Sequence, residues 1–458
     1  MMTDRQTIIN KCVESWQTAE GVNSAQELLE WINELNNTIK VDISFAQMEK
    51  EDFWFYDDLS GRIRNRNNSF FSISGMRTVN ENGEISEQPV LLQNEIGYLG
   101  IICAPINGVL HFLMQAKIEP GNINKVQISP TIQATKSNFQ RKHGGKAPAY
   151  AEYFVNDSRF YRLVDQIQSE QSSRFLGKRN RNTVIFAEDG SAIDVLPNFR
   201  WMTLGQIKAL MGYDNLVNMD TRTVLSCIPF REYEGGGQLS PFLSMLFGSS
   251  DNNITEVYTA INDKKMFSST ERTLIPLSEL EHWHWQDGSF ICDTEADFSV
   301  VYCDISIEGR EVRQWRQPLF KASGDAVFGL AFCRKADGIR FLVRIKEESG
   351  CFDVCELGPT VQLEPTKKDC PDPVSQRFME LCGRNGTVFD GLLSEEGGRF
   401  YNEQNRNILL ECSSDDFGEL PQDCFWMDFR TLNSLTQINN ILNIQLRNLL
   451  SLLPDNIS

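Results

Sequence analysis

Residue types able to do chemistry concentrate between positions 111 and 182. Two of the four histidines, His111 and His143, fall there, with the carboxylates Glu119 and Glu170 and the phenols Tyr150 and Tyr153. A group that titrates near neutrality can move a proton in a transition state, worth ~10²–10⁴-fold in rate. That makes His111, Glu119, Glu170 and Tyr150 the candidate acids and bases. Each also has a plainer reading. His111 lies in a strand-like run and is equally a core histidine satisfied by backbone. Tyr150 and Tyr153 read as proton donors, as stacking groups or as packing. His143, in the segment RKHGG, is a ligand contact or plain loop. His282-Trp-His284 alternates as metal ligands on a strand would, but no third ligand accompanies it and no metal is expected.

Charge singles out the same region. The chain carries a net charge of −18, which argues against nucleic acid as a partner. Yet residues 117–181 hold 12 Lys and Arg against 5 Asp and Glu. A local cationic stretch in an acidic protein is either a solvated balancing face or a site for a small polyanion such as a nucleotide diphosphate, held by charge-assisted hydrogen bonds.

The elements that must position these groups come in duplicate. Residues 112–133 and 341–362 align without a gap at an offset of 229, with eight identities in 22 positions. SEQSSRFLGKRNRN (169–182) aligns with SEEGGRFYNEQNRN (394–407) at an offset of 225, as do Asn218 with Asn443 and Arg222 with Arg447. The expectation is a tandem repeat, residues 1–235 and 236–458, with the boundary in the glycine-containing stretch 231–250. The copies differ informatively. Lys178 and Arg179 become Glu403 and Gln404, and residues 346–406 hold 7 Lys and Arg against 12 Asp and Glu. The first repeat is therefore expected to hold the anion. Features kept in both copies, Glu119 with Glu348, Glu170 with Glu395 and the two NRN triplets, fit bracing or inheritance from one ancestral site.

Each half reads as α+β, strands first and helices after. Residues 5–36 look helical. YLGIICAPINGVLHFLMQAKI reads as a hairpin turning at Asn107-Gly108, and INKVQISPTIQ as a strand. Residues 158–170 look helical, NTVIFAE is a strand, and TLGQIKALMGY is a helix capped by Thr203. The second half repeats the order and closes on a helical stretch, 432–453. No apolar run approaches a membrane span. The first residues show no secretory pattern, and the 12 cysteines form no CxxC pair, so a cytoplasmic protein with reduced thiols is expected. Neither GxGxxG nor GxxxxGK[ST] occurs.

The run QAKIEPGNINKVQISPTIQATKSNFQRKHGG (115–145) resembles the sugar-nucleotide 2,3-dehydratases, which act on dTDP-4-keto-6-deoxyglucose. Asn94-Glu95-Ile96-Gly97, Gly108–Leu113, QSEQSSRFLGKRNRN (168–182) and DNLVNMDTRTVLSC (214–227) fit as well, so the resemblance covers nearly the whole chain. It implies two repeats similar to the Nudix hydrolase fold, a homodimer, and no metal or organic cofactor. The Nudix box itself, with its clustered carboxylates, is absent, so a Nudix-type pyrophosphatase is disfavoured. The chain departs from the family pattern at Asn65–Asn67, Arg174 and Gly177, and more widely in the second repeat, which fits a degenerate, structural copy.

The implied reaction is a β-elimination. A C4 ketone acidifies the C3 proton, a base takes it, and the C2 hydroxyl leaves, giving a 3,4-diketo-2,6-dideoxy sugar. The resemblance implies substrate contacts from Gln115, Lys117, Asn122, Gln127, Ser129, Thr131, Gln133, Thr135, Asn138, Arg141 and His143, and from Arg174, Arg179 and Arg181. Loss of Arg141 or Arg179 is expected to weaken dTDP binding by at least ~1.5 kcal/mol. A downstream 3-ketoreductase or aminotransferase would consume the unstable product. A catalytically inactive nucleotide-sugar binding protein is the alternative.

Overall fold

The computed structural model describes residues 3–139, 147–155, 160–248, 254–309, 312–369, 371–384 and 386–457. The first repeat supplies β1 (Val41–Phe45), β2 (Trp54–Asp57), β3 (Arg62–Asn65), β4 (Ser72–Val79), β5 (Ile85–Leu92), β6 (Gly97–Ile106), β7 (Val109–Ile118), β8 (Val126–Ser129), β9 (Ile132–Ala134), β10 (Tyr161–Ser169), β11 (Arg179–Phe186) and β12 (Phe199–Met202). The second supplies β13 (Glu271–Ile275), β14 (Trp283–Gln286), β15 (Ser289–Cys292), β16 (Phe298–Ile307), β17 (Gln314–Ala322), β18 (Val327–Lys335), β19 (Gly338–Glu347), β20 (Cys355–Gly358), β21 (Val361–Leu363), β22 (Thr387–Ser394), β23 (Gln404–Glu411) and β24 (Cys424–Asp428). The helices are α1 (Arg5–Trp16), α2 (Ala25–Thr38), α3 (Lys136–Phe139), α4 (Ala151–Phe154), α5 (Leu204–Leu210), α6 (Met219–Ser226), α7 (Pro241–Leu246), α8 (Ile254–Phe267), α9 (Pro373–Cys382), α10 (Phe429–Leu435) and α11 (Ile444–Ser451). No described helix is long and apolar enough to cross a membrane.

The duplication read from the sequence is a duplication of strands. One seven-stranded sheet runs β10-β11-β6-β7-β12, with β8 on β7 and β9 on β6; its counterpart runs β22-β23-β18-β19-β24, with β20 on β19 and β21 on β18. In each, one pair, β6 with β11 and β18 with β23, is parallel, so the sheets are mixed. The β6–β7 hairpin turns at Asn107 and Gly108, both with positive φ (52° and 86°), the backbone that a tight two-residue turn requires.

The two five-stranded sheets exchange their edges. β1 of the first repeat pairs with β16 of the second, Val41 opposite Ile307 through Phe45 opposite Cys303. β13 of the second pairs with β4 of the first, Glu271 opposite Val79 through Ile275 opposite Gly75. A division at 235/236 thus marks a sequence unit whose halves are laced together, and one contiguous apolar core draws on both, Phe112 and Phe332 included. Loops cross the seam reciprocally: Gly121 N donates to Gly397 O at 2.7 Å, and Gly350 N to Ser172 O at 2.7 Å. A Cβ at Gly121 would lie 1.6 Å from Phe400 O, and one at Gly350 would lie 1.8 Å from Phe175 O, which accounts for glycine in both copies.

Three helical expectations need correction. Residues 161–169 form β10, not a helix; the register shifts between Arg162 and Val164, so a bulge breaks the period-two alternation that would have marked a strand. The stretch 432–453 is two helices, separated at Asn440 (φ 56°) and restarted by Asn443, whose side chain caps α11. Residues 5–36 likewise hold two helices, the second opened by a Ser24–Glu27 capping box.

Candidate active site

A cavity of about 860 Å³ opens where the first repeat's seven-stranded sheet meets the seam. Gly97 and Leu99 of β6, Lys117 of β7, Gln133 of β9 and Asn180 of β11 line it from below. Asp220, in the first turn of α6, joins them because Asn218 caps that helix and aims its start at the sheet. The second repeat supplies the facing wall: Gln314–Gln317 of β17, and Glu396, Gly398 and Arg399 from the loop after β22. Phe53, Trp54, Phe70 and Phe71 form an apolar end.

The polar groups are held by one another. Lys117 Nζ lies 3.2 Å from Glu119 Oε1. Gln133 Nε2 donates to both Glu119 oxygens, at 3.3 and 3.4 Å, while its own carbonyl accepts from Asn218 Nδ2 at 3.3 Å. Asn218 Nδ2 also donates to Ser129 Oγ at 2.7 Å. Lys178 Nζ donates to Glu95 O (2.6 Å) and Asn180 Oδ1 (2.8 Å), with a longer contact to Arg179 O (3.3 Å). Asn180 Nδ2 in turn donates to Glu170 Oε1 at 2.7 Å. Arg399 lies 4.3 Å over the Phe71 ring and donates from Nε to Gln93 Oε1 at 3.1 Å.

Crowding carboxyls and cations out of water moves their titration. Burial lifts Glu170 to about 7, with Glu396 adding to the rise and Lys178 opposing it. Asp220 is pushed well above the usual carboxylate range by burial and then by Glu396, Glu170 and Glu119. Glu396 rises through burial against the pull of Arg399. Burial lowers Lys178 although Glu170 and Glu396 favour its charged form. Glu170, directly behind the cavity wall, can therefore hold or release a proton near neutral pH.

Of the residues singled out from sequence, Lys117, Glu119, Gln133, Thr135 and Lys178 line the cavity. Glu170 lies directly behind Asn180, and Ser129 is one hydrogen bond from Gln133's partner. The others are elsewhere. His111 is buried with Nε2 accepting from Val22 N (3.1 Å) and Nδ1 2.9 Å from Val109 O, so Nδ1 carries the proton; burial lowers its pKa, and the ring braces the turn before α2. Tyr150 donates to Asp194 O at 2.8 Å and accepts from Leu196 N at 3.0 Å inside a separate apolar cluster. Thr131 Oγ1 ties Ile102 N to Leu113 O, as Thr360 does in the second copy. Gln127 donates to Ser394 Oγ at 2.7 Å across the seam, and Asn122 to Lys125 O at 2.8 Å. Gln115 is half-buried opposite Ser129, outside the lining. Arg141 and His143 lie outside the described residues, as does the side chain of Asn138.

The arginines expected on the anion are also engaged elsewhere. Arg181 pairs with Asp165 at 2.6 Å, as Arg406 does with Asp390 at 2.6 Å in the second copy. Arg174 reaches Glu364 at 3.0 Å and lies 4.3 Å over Phe298. Arg179 lies 3.7 Å over the Phe352 ring. Arg179→Ala is accordingly expected to leave dTDP affinity unchanged by calorimetry; a loss near ~1.5 kcal/mol would return it to the site. His282, the other histidine of note, faces Asp293 at 3.1 Å, and no described group of three His, Cys, Asp or Glu is arranged for a metal.

Sequence reasoning missed Asp220, Glu396, Arg399 and the aromatic end. A usable signal exists for two: Asp220 aligns with Gln445 and Glu396 with Gln171, changes of ionisation of the same kind as Lys178 to Glu403.

Comparison with known proteins converges on one family. A family model described as NDP-hexose 2,3-dehydratase matches residues 25–228 and again 254–453. A dTDP-4-dehydro-6-deoxy-alpha-D-glucopyranose 2,3-dehydratase of Saccharopolyspora spinosa is 37% identical over 424 residues, covering 89% of this chain and 86% of that protein. Proteins of the same description from Streptomyces violaceoruber (36% over 438 residues, 93% and 96% covered) and Amycolatopsis orientalis (33% over 450 residues, 95% and 91%) are similar. With both repeats matched and the relatives aligned over most of their length, the chain belongs to the NDP-hexose 2,3-dehydratase family.

Proposed function

We propose that this chain removes water across C2 and C3 of dTDP-4-keto-6-deoxyglucose, within the cavity at the seam, in deoxysugar biosynthesis. The observation that carries the reading is the cavity's lining: Lys117, Lys178 and Arg399 face Glu119, Asp220 and Glu396 in a space of about 860 Å³, ample for a nucleotide sugar. Lys117 and Arg399 meet the diphosphate, and Phe53, Trp54, Phe70 and Phe71 offer flat faces to thymine. The ketone already present at C4 acidifies C3–H, so the elimination needs only proton transfer and a group to hold charge on the C4 oxygen.

In this reading each repeat is a Nudix-like unit. The first carries the substrate and the second, degenerate as a site of its own, completes the cavity. The protein is a cytoplasmic homodimer whose unstable diketone passes to a 3-ketoreductase or an aminotransferase. Because the proposed chemistry uses side chains alone, a chelator is expected to leave turnover unchanged; loss restored by a divalent ion would overturn that point.

The direct test is incubation with dTDP-4-keto-6-deoxyglucose, a 3-ketoreductase and NADPH, followed by mass spectrometry. A trapped product lighter by one water than the simple reduction product supports the reading. Unchanged substrate that still binds would make the chain a binding protein, and release of nucleoside monophosphate would make it a pyrophosphatase.

A further inference from the structure

The chain contains its own control. Among the described residues, six ionisable side chains line the cavity besides the exposed Arg316. Three recur in the second copy: Lys117 as Lys346, Glu119 as Glu348 and Arg399 as Arg174. Contacts of the glutamate and the arginine recur too. Gln362 Nε2 donates to Glu348 at 2.9 Å as Gln133 does to Glu119, and Arg174 stacks on Phe298 as Arg399 does on Phe71. Groups kept in both places are not what sets the cavity's chemistry apart from its counterpart.

The other three change. Lys178 becomes Glu403, Asp220 becomes Gln445 and Glu396 becomes Gln171. The backbone shows that these are true equivalents. Glu170 N donates to Lys178 O at 3.0 Å, as Glu395 N does to Glu403 O at 3.0 Å. Arg399 N and Phe400 N both donate to Glu396 O, as Arg174 N and Phe175 N do to Gln171 O. Asp220 and Gln445 each stand two residues after the asparagine cap of their helix. The frame is thus constant while a cation and two carboxyls occur at the cavity alone.

We propose that Glu396 and Asp220 are the base and the acid of the elimination, and that Lys178 holds the charge that develops on the C4 oxygen. This rests on the reaction proposed above. Burial and Glu119 raise Glu396, but it shares the cavity wall with Arg399, Lys178 and Lys117, all of which favour its carboxylate and suit it to be the base. Asp220, raised by burial and then by Glu396, Glu170 and Glu119 with only Lys117 opposing, is the better proton donor. The C3–H bond breaks with its proton going to Glu396, and the electron pair moves onto the C4 oxygen beside Lys178. As the C4 carbonyl re-forms, the C2–O bond breaks and hydroxide leaves as water with the Asp220 proton. The enol oxygen at C3 then returns a proton to Asp220, and C2 takes the proton from Glu396. Both carboxyls end as they began, and the sugar has lost one water. The base thus comes from the second repeat and the acid from the first, so neither repeat alone holds a complete site.

The test measures two events separately in D2O: deuterium wash-in at C3 and loss of water. Glu396→Gln, which installs the amide the second copy carries at Gln171, is expected to lower both by ~100-fold or more while keeping dTDP affinity. Asp220→Asn is expected to lose dehydration to the same extent yet still exchange C3–H. Should Glu396→Gln fail to bind dTDP, Glu396→Asp takes its place with the same criteria. Wild-type exchange in the Glu396 variant, or wild-type dehydration in the Asp220 variant, would overturn the pair. If the wild-type chain itself leaves the substrate intact, the reaction proposed above is what fails.

Discussion

Arg174→Ala is expected to destabilise the protein by about 3–5 kcal/mol while leaving turnover at low temperature unchanged. The guanidinium is buried with Glu364, Glu403 and Asp297 around it; burial alone would lower its pKa, and those carboxylates hold it above its ordinary value. Glu403 still sits at about 8, because burial outweighs the pull of Arg174. Removing the cation leaves carboxyls facing one another, so they must take up protons to stay buried. The sign follows. A folded-state pKa raised above the unfolded value means the native state binds more protons, so the stability this contributes is present below about pH 4.5 and is lost as pH rises toward 8. The Arg174→Ala deficit should therefore be smaller at pH 5.5 than at pH 8.5 in denaturant titrations. Adding Glu403→Gln should recover part of it, since removing both members of a buried pair costs far less than removing one. A deficit that does not change with pH would mean that Arg174 acts through packing on Phe298 and not through charge.

The architecture was largely legible because it is written twice. A repeat at a constant offset exposes equivalent strands even where identity is low, and Asn107-Gly108 can hardly be anything but a tight turn. What escaped was non-local. The β10 bulge disguised a strand as a helix, and nothing in residues 41–45 or 271–275 announces that each pairs with the other repeat. The site was half legible for the same reason. Lys117, Glu119, Gln133 and Thr135 come from one continuous polar run, and that run does line the cavity. Glu396 and Arg399 lie more than 250 residues further on and reach it only because the seam loops cross between repeats. Polar residues such as His111, Gln127 and Thr131 looked like ligand contacts because a buried polar network and a binding site draw on the same residue types. Only the coordinates separate a group that braces backbone from one that faces open space.

Lys178→Met is expected to lower kcat by roughly 10²–10³-fold, the scale for losing a donor that meets developing negative charge. Methionine fills much of the same space without a charge. The backbone carbonyl of Glu95 and Asn180 Oδ1 lose their donor, but Asn180 stays anchored through Glu170 and through Gly97 N, which donates to its Oδ1 at 3.0 Å. The defect should therefore appear in kcat more than in dTDP affinity, which the proposed function assigns to Lys117 and Arg399. The amine has a site-specific reason to matter: its long contact to Arg179 O, at 3.3 Å, is the one a ligand oxygen can replace without stripping the others. Lys178→Arg should not rescue, because a planar fork cannot reproduce the three directions of an ammonium set among Glu95, Asn180 and a ligand oxygen. In D2O, both C3–H exchange and loss of water should fall together in Lys178→Met, since the enolate precedes both. If the variant exchanges normally and only water loss suffers, Lys178 assists the leaving hydroxyl instead, and the C4 oxygen must be held by another group at the cavity wall.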